Sequence, residues 1–260
     1  MKITPLASSF TDNFMYLVVD GDEALLVDPI DAETAVDAAR ASGAKRFSVV
    51  ATHGHQDHVA GNAQVKAALG ARVLASSRAE SFPTPHDVAL EDCDSLLVGT
   101  TAFDVIHAPG HTDGHIALYT PGHLISGDIL FVAGVGNCRF GGDPGVLFRT
   151  IRERLGPLPD DTVFYPGHDY ARKNLEFILS IEPANARAAE LLDEVRGWSR
   201  SDGPYLTTLG TERAYNPFFR AGDPALAAAL EPHGASVELP DVDDPAEQAF
   251  RTVRALRDRF

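Results

Sequence analysis

Between residues 52 and 61 the chain reads Thr-His-Gly-His-Gln-Asp-His-Val-Ala-Gly, a concentration of imidazole and carboxylate suited to holding metal ions. The preceding run, Phe47-Ser48-Val49-Val50-Ala51, is short, apolar and rich in β-branched residues, the pattern of a buried strand. While the backbone stays extended, His53 and His55 face the same side and both rings can reach one ion. Asp57 and His58 lie past the bend and approach from another direction. Together these groups exceed what a tetrahedral ion takes from one loop, so the spacing points to two adjacent cations sharing a pocket. Without a cation, such a cluster at a strand end would be poorly paired.

Three later strand ends repeat the theme. Phe103–His107 empties into Ala108-Pro109-Gly110-His111-Thr112-Asp113-Gly114-His115, which makes His111 a further candidate. His115 is expected to enter the next strand, 116–119, either behind the ligands or in the core. His107 and His123 read as structural, and His86 as a surface residue. Leu124-Ile125-Ser126-Gly127-Asp128 is an apolar run ending in a carboxylate, whose two oxygens can bridge a pair of ions as an imidazole cannot. Thr162-Val163-Phe164-Tyr165-Pro166-Gly167-His168-Asp169 again delivers a histidine. Each would be an ordinary turn residue alone, but four strands with polar ends predict a common rim.

The elements that must position these groups alternate between strand and helix. Strand-like runs occupy 13–19 and 24–27, joined through Asp20-Gly21-Asp22, a hairpin signal. Asp31 can cap a helix reaching about Ser42, with Gly43 as its stop. A second helix spans Asn62 to Leu69, stopped by Gly70, and a strand follows at 71–75. From about Phe82 to Val98 the pattern is irregular, broken by Pro83 and Pro85. Beyond residue 170 the periodicity is helical: Arg172 to Ile181; Asn185 to Trp198 with Leu191, Val195 and Trp198 on one stripe; and a last helix carrying Ala249, Val253, Leu256 and Phe260.

Composition sets limits on partners and location. Lysine and arginine number 22 against 37 acidic residues, and the net charge of −15 disfavours a polyanion such as nucleic acid. Cys93 and Cys138 are too few for a disulfide framework, and the N-terminus carries no apolar signal core. No stretch approaches the roughly 20 apolar residues of a membrane span. A soluble cytoplasmic protein without a membrane partner is expected; monomer and dimer both remain open.

His-x-His-x-Asp-His at 53–58, Pro-Gly-His-Thr at 109–112, Gly-Asp at 127–128 and Pro-Gly-His at 166–168 resemble the ligand set of the metallo-β-lactamase superfamily. The resemblance covers residues 1 to about 170. It implies an α/β fold, a four-layer αβ/βα sandwich with the site at one edge of two sheets. By position it implies that His53, His55 and His111 hold one metal, that Asp57, His58 and His168 hold the other, and that Asp128 bridges them. Gly167-His168-Asp169-Tyr170, Asn174-Leu175-Glu176-Phe177, Ile181-Glu182-Pro183, Tyr215-Asn216-Pro217-Phe218-Phe219-Arg220 and Arg254-Ala255-Leu256-Arg257 resemble glyoxalase II, the hydroxyacylglutathione hydrolases. That resemblance implies a catalytic domain over 1–170 and a helical substrate-binding domain over 171–260, with Tyr170 and Arg257 at the thiol.

The chain departs from the family between Val135 and Asp143, where a basic residue and an aromatic that hold the glutathione backbone are expected. Arg139 can supply the basic group, displaced in register. A second basic position falls on Phe260. The departures bear on the thiol rather than on the chemistry. The resemblance implies a metal-dependent thioesterase cleaving S-D-lactoylglutathione, or a related acyl-thiol, to a hydroxy acid and free thiol. The attacking group would be a hydroxide shared between two divalent ions, with Asp57 and Asp128 as catalytic carboxylates. Zinc is the first expectation, and iron or manganese suits the same donors. The alternative is a persulfide dioxygenase of the same superfamily with one iron; a lactonase, a nuclease and a non-enzymatic binding module fit less well.

Overall fold

Residues 1–81, 83–237 and 239–260 are described by a computed structural model; Phe82, where the irregular stretch begins, lies outside the described residues. Six strands, β1 (Lys2–Ala7), β2 (Phe14–Asp20), β3 (Glu23–Val27), β4 (Arg46–Val50), β5 (Arg72–Ser76) and β6 (Val88–Leu90), form one sheet in that order. It is antiparallel through β3 and parallel from β3 to β6. A second sheet runs β7 (Ser95–Val98), β8 (Thr101–His107), β9 (Ile116–Thr120) and β10 (His123–Gly127). A small hairpin of β11 (Leu130–Phe131) and β12 (Gly134–Val135) follows, and β13 (Val163–Pro166) then joins the second sheet parallel to β10.

Alternation along the strands builds three cores. Met15 and Leu17 of β2, with Ala24 and Leu26 of β3, face α1 (Ala32–Ala41) and α3 (Asn62–Leu69). Phe14, Tyr16, Val18, Leu25 and Val27 point the other way, into a layer shared with Phe103, Val105, Ile116, Leu118 and Ile125 of the second sheet. Leu124 and Phe164 on that sheet's outer face begin a third core. Alternate side chains of β2 and β3 thus feed separate cores on the two faces of their sheet, and with the outer face of the second sheet this gives the four-layer αβ/βα sandwich.

The third core continues into the C-terminal helices: α4 (Pro144–Arg149, running on into a π-helical turn), α5 (Ala171–Ile181), α6 (Ala186–Arg196), α7 (Leu209–Tyr215), α8 (Pro224–Leu230) and α9 (Pro245–Arg257). Phe250 of α9 is fully buried between Phe148 and Phe218. Among the described residues no helix is long and apolar enough to cross a membrane.

Several expectations are revised. The first helix is as expected, with the Asp31 carboxylate accepting the Thr34 N–H, but β1 was not foreseen because its residues are only half buried. The irregular stretch contains β6 and β7, too short to show a period. Helix α6 ends at Arg196, and Trp198, expected on its buried stripe, is 44% exposed. Its indole donates to the Gly203 carbonyl and packs edge-on against Tyr205 instead. Phe260 likewise lies beyond α9, half exposed against Phe177.

The Tyr215–Arg220 run serves the fold. Arg220 pairs with Glu182 and Asp223, and Asn216 donates to Glu212. Glu212 is fully buried and also accepts from Thr207, Tyr215 and the N–H of Ala133, tying α7 to the β11–β12 turn. Burial pushes its carboxyl above the ordinary range, against the pull of these donors. Replacing Glu212 by leucine strands four donors and should cost at least about 3 kcal/mol. Glu212→Gln should cost about 1 kcal/mol, because the two hydroxyls can turn and accept from the amide. Urea unfolding of the two variants checks the order.

Candidate metal centre

The rim where the two sheets meet is stitched by main-chain bonds, Phe14 N–H to the Gly167 carbonyl at 2.8 Å and Ile116 N–H to that of Thr52 at 2.8 Å. At this rim β4, β8, β10 and β13 release their C-terminal loops, and the polar strand ends converge. β4 leads through His53 and His55 into a single helical turn, α2 (Gln56–Val59), which carries Asp57 and His58 round the bend. The loop after β8 brings His111, the end of β10 brings Asp128, and the end of β13 brings His168.

Each imidazole has an oxygen acceptor behind it, and those acceptors fix the tautomers. His111 Nδ1 lies 2.7 Å from the Asn137 carbonyl, His58 Nδ1 2.9 Å from Asp28, and His168 Nδ1 3.0 Å from Asp12. His55 Nε2 faces the Phe140 carbonyl at 3.4 Å. The Thr52 hydroxyl donates to Asp28 and so must accept from His53 Nδ1 at 3.0 Å. Every outer nitrogen therefore carries the N–H, and five lone pairs face inward.

The inward atoms form two groups. His53 Nε2, His55 Nδ1 and His111 Nε2 gather with 3.0 Å separations from the central His55 nitrogen. Asp57, His58 and His168 gather beside them, His58 Nε2 and His168 Nε2 being 3.3 Å apart. Asp128 stands between, with Oδ2 at 3.7 Å from His111 and 3.4 Å from His168, and Oδ1 at 3.4 Å from His58. Oδ1 is buried and has no hydrogen-bond partner among the described residues. Converging lone pairs and a buried carboxylate oxygen without a donor are what a divalent cation would satisfy, so the residues present fit a metal centre. Asp28 also lies near His53 and His58, but its oxygens are taken from behind by Thr52 and His58.

The two groups differ electrostatically. Burial and neighbouring rings hold His53 well below its usual range, and burial lowers His111 to about 4, so that group stays neutral and ready to coordinate. In the other group burial opposes charge, but Asp128 and Asp28 push His58 up to about 10. Asp128, despite its own burial, is held ionised by His168 and His58, and His168 brings Asp57 down to about 2. Protons there stand where a cation would.

The seven candidate ligands are thus brought together, and the three candidate substrate residues line the same cleft of about 580 Å³. Tyr170 stacks on His168 with centroids 4.9 Å apart. Arg257 is held by Asn174 Oδ1 at 3.0 Å, and Arg139 is bound to the main-chain oxygen of Asp258. His115, read as standing behind the ligands or in the core, is fully buried; its Nε2 accepts the Asp128 N–H at 3.1 Å. Asp12, Asn13, Asp28 and Thr52 were missed, as were Lys173 and Arg254 in the cleft wall. Asp28 carried a signal, since it ends an apolar strand as Asp128 does. Asp12 carried none, because its partner is 156 residues away.

Gly167 allows this approach. A Cβ there would lie 2.4 Å from Asp128 Oδ1 and 2.9 Å from His58 Cε1. Gly167→Ala should displace both and weaken metal binding about 10-fold or more while the unfolding transition moves little; chelator competition and thermal melting measure the two effects.

Comparison with known proteins agrees with this geometry. The family profile described as "Metallo-beta-lactamase superfamily" matches residues 10–168, and that described as "Hydroxyacylglutathione hydrolase C-terminus" matches residues 169–260. The chain is 42% identical over 253 residues to a hydroxyacylglutathione hydrolase of Anaeromyxobacter dehalogenans, covering 95% of this chain and 96% of that one. It is 40% identical to another from Polaromonas sp., covering 95% of each. Among solved structures it is similar to TTHA1623 in a di-iron-bound form, at 30% identity and TM-score 0.61, covering 83% of this chain and 99% of that one. It also shares the fold of ETHE1 from Myxococcus xanthus, at 24% identity and TM-score 0.66, covering 97% and 99%. From its strand-end ligands to its last helix, the chain belongs to the hydroxyacylglutathione hydrolase, or glyoxalase II, family within the metallo-β-lactamase superfamily.

Proposed function

We propose that this protein hydrolyses glutathione thioesters, S-D-lactoylglutathione first among them, to a hydroxy acid and free thiol. The observation that carries the reading is one cleft with two walls of different character: inward imidazole lone pairs with Asp57 and Asp128 at the floor, and Arg139, Lys173 and Arg257 along the side. Two divalent ions held there, zinc first and iron or manganese by the same donor chemistry, supply Lewis acidity and bring the pKa of a water toward neutrality. His53, His55 and His111 would hold one, Asp57, His58 and His168 the other, with Asp128 shared. Residues 1–170 thus furnish the floor, and 171–260 most of the thiol side.

The chain's own groups order the reaction. Asp57 is 48% exposed at the cleft, against 8% for Asp128, so it is placed to accept a hydrogen bond from the attacking water. Water adds to the thioester carbonyl carbon and gives up a proton along its hydrogen bond to Asp57, the C–S bond breaks, and sulfur leaves with its electron pair and takes up that proton as the free thiol. A thiol has a pKa of about 8.5, so that departure needs little proton assistance. Burial pushes the Tyr170 hydroxyl up to about 12, which keeps it a neutral donor and packing surface beside His168. The terminal nitrogens of Arg257 have no protein hydrogen bond among the described residues and are available to a substrate carboxylate.

The mononuclear-iron dioxygenase alternative is less supported, since relatives named hydroxyacylglutathione hydrolase match across most of the chain and the C-terminal family profile matches residues 169–260. Metal-replete protein given S-D-lactoylglutathione without oxygen should lose thioester and release thiol at equal rates, with about two metals per chain. One iron per chain with oxygen uptake on glutathione persulfide would overturn the reading. Arg257→Ala should raise KM about 10-fold and leave kcat nearly unchanged, as expected when a charge-assisted binding contact is removed; steady-state kinetics separates the two.

A further inference from the structure

The Asp57, His58 and His168 group is held by two consecutive residues that belong to no sheet interior. Asp12 Oδ1 accepts from His168 Nδ1 at 3.0 Å, and Asn13 Nδ2 donates to the Asp57 carbonyl at 2.9 Å. The same amide nitrogen lies 3.4 Å from His58 Nε2 and 3.3 Å from His168 Nε2. All three candidate ligands of this group therefore touch the dipeptide. Among the described residues, neither Asp12 nor Asn13 has a hydrogen bond to His53, His55 or His111.

The dipeptide closes a loop whose neck is the Ser8 N–H to Asn13 carbonyl bond of 3.1 Å. On that neck sits Arg200, from a short 3₁₀ turn after α6 and 187 residues away along the chain. Its guanidinium donates to the Asn13 carbonyl at 2.9 Å and to the Ser8 carbonyl at 3.3 Å, and lies over the Phe14 ring at 5.1 Å. Its Nε is buried without a hydrogen-bond partner among the described residues. A planar fork bonded to both ends of a loop and packed on an aromatic face restricts the loop far more than a surface ion pair would.

We propose that Arg200 is a positioning residue: by clamping the neck of the 8–13 loop it places Asp12 and Asn13, and so sets the metal affinity of the Asp57, His58 and His168 group without touching that of the three-histidine group. The inference rests on the two-ion reading above. It gives the C-terminal helical region a part in the metal centre as well as in the thiol cleft.

Zinc titration of metal-free protein against a chromophoric chelator, with unfolding transitions recorded alongside, tests the clamp. Arg200→Gln should leave one equivalent at wild-type affinity and weaken the other about 10- to 100-fold, the usual cost of losing a group that orients a ligand. Asp12→Ala, at a residue 57% exposed, should weaken the same equivalent, and the double variant should fall well short of the summed effect. Arg200→Lys keeps a cation and donors but loses the fork, and should give a smaller one-sided weakening; it carries the test should Arg200→Gln not fold. Equal weakening of both equivalents, or of neither, would overturn the clamp. A single equivalent in the wild type would instead overturn the two-ion reading, and the assigned role of Arg200 with it.

Discussion

Asp28 leaves β3 with φ at +48°, a left-handed conformation uncommon for a residue bearing a Cβ. From there its carboxylate accepts the Thr52 N–H at 2.7 Å, the Thr52 hydroxyl at 2.6 Å and His58 Nδ1–H at 2.9 Å. Both halves of the metal centre depend on these bonds. Through Thr52 the carboxylate fixes the tautomer of His53 in one group, and directly it fixes that of His58 in the other. An apolar residue here would leave three buried donors unsatisfied and both rings free to turn. The backbone strain of about 1–2 kcal/mol is small beside that loss.

The same rule, an oxygen acceptor behind every inward ring, explains why the site draws on the whole chain. The acceptors come from the loop before β2, the end of β3, the start of the metal loop and the segment after β12. Packing has to bring these stretches to one rim before any imidazole is oriented. The three cores do so, with alternating faces of β2 and β3 feeding two of them and the outer face of the second sheet feeding the third.

The charge distribution follows from function rather than from the average. The chain carries −15 overall, yet the cleft wall is lined by Arg139, Lys173, Arg254 and Arg257. Arg254 is nearly buried and donates to the Val135 carbonyl and Asp258, so it shapes the loop after β12 rather than offering a free charge. Arg139 is also engaged by Asp258. Arg257 and Lys173 are left as the cations most accessible to a substrate carboxylate. A basic cleft in an acidic protein draws a small anion locally while the remaining surface repels polyanions.

The residues that would coordinate metal were legible in the sequence because they sit at strand ends in short motifs, where spacing alone limits the directions in which side chains can point. The sandwich was legible through the family resemblance that these motifs carry; β2 and β3 are apolar almost throughout, because both of their faces are buried, and show no period of their own. Strands β6 and β7 and the exposed Trp198 were not, since short segments carry no usable period and helix ends depend on local caps. Nor were Asp12, Asn13 and Arg200, whose meaning lies in partners distant along the chain, from the Asp57 carbonyl 44 residues beyond Asn13 to the 187 residues between Asn13 and Arg200. Sequence by itself determined the donor chemistry, because a ligand must be of a particular residue type. Only the tertiary structure decided what stands behind each donor, because an acceptor for a ring N–H can be any oxygen, including a main-chain carbonyl that every residue possesses.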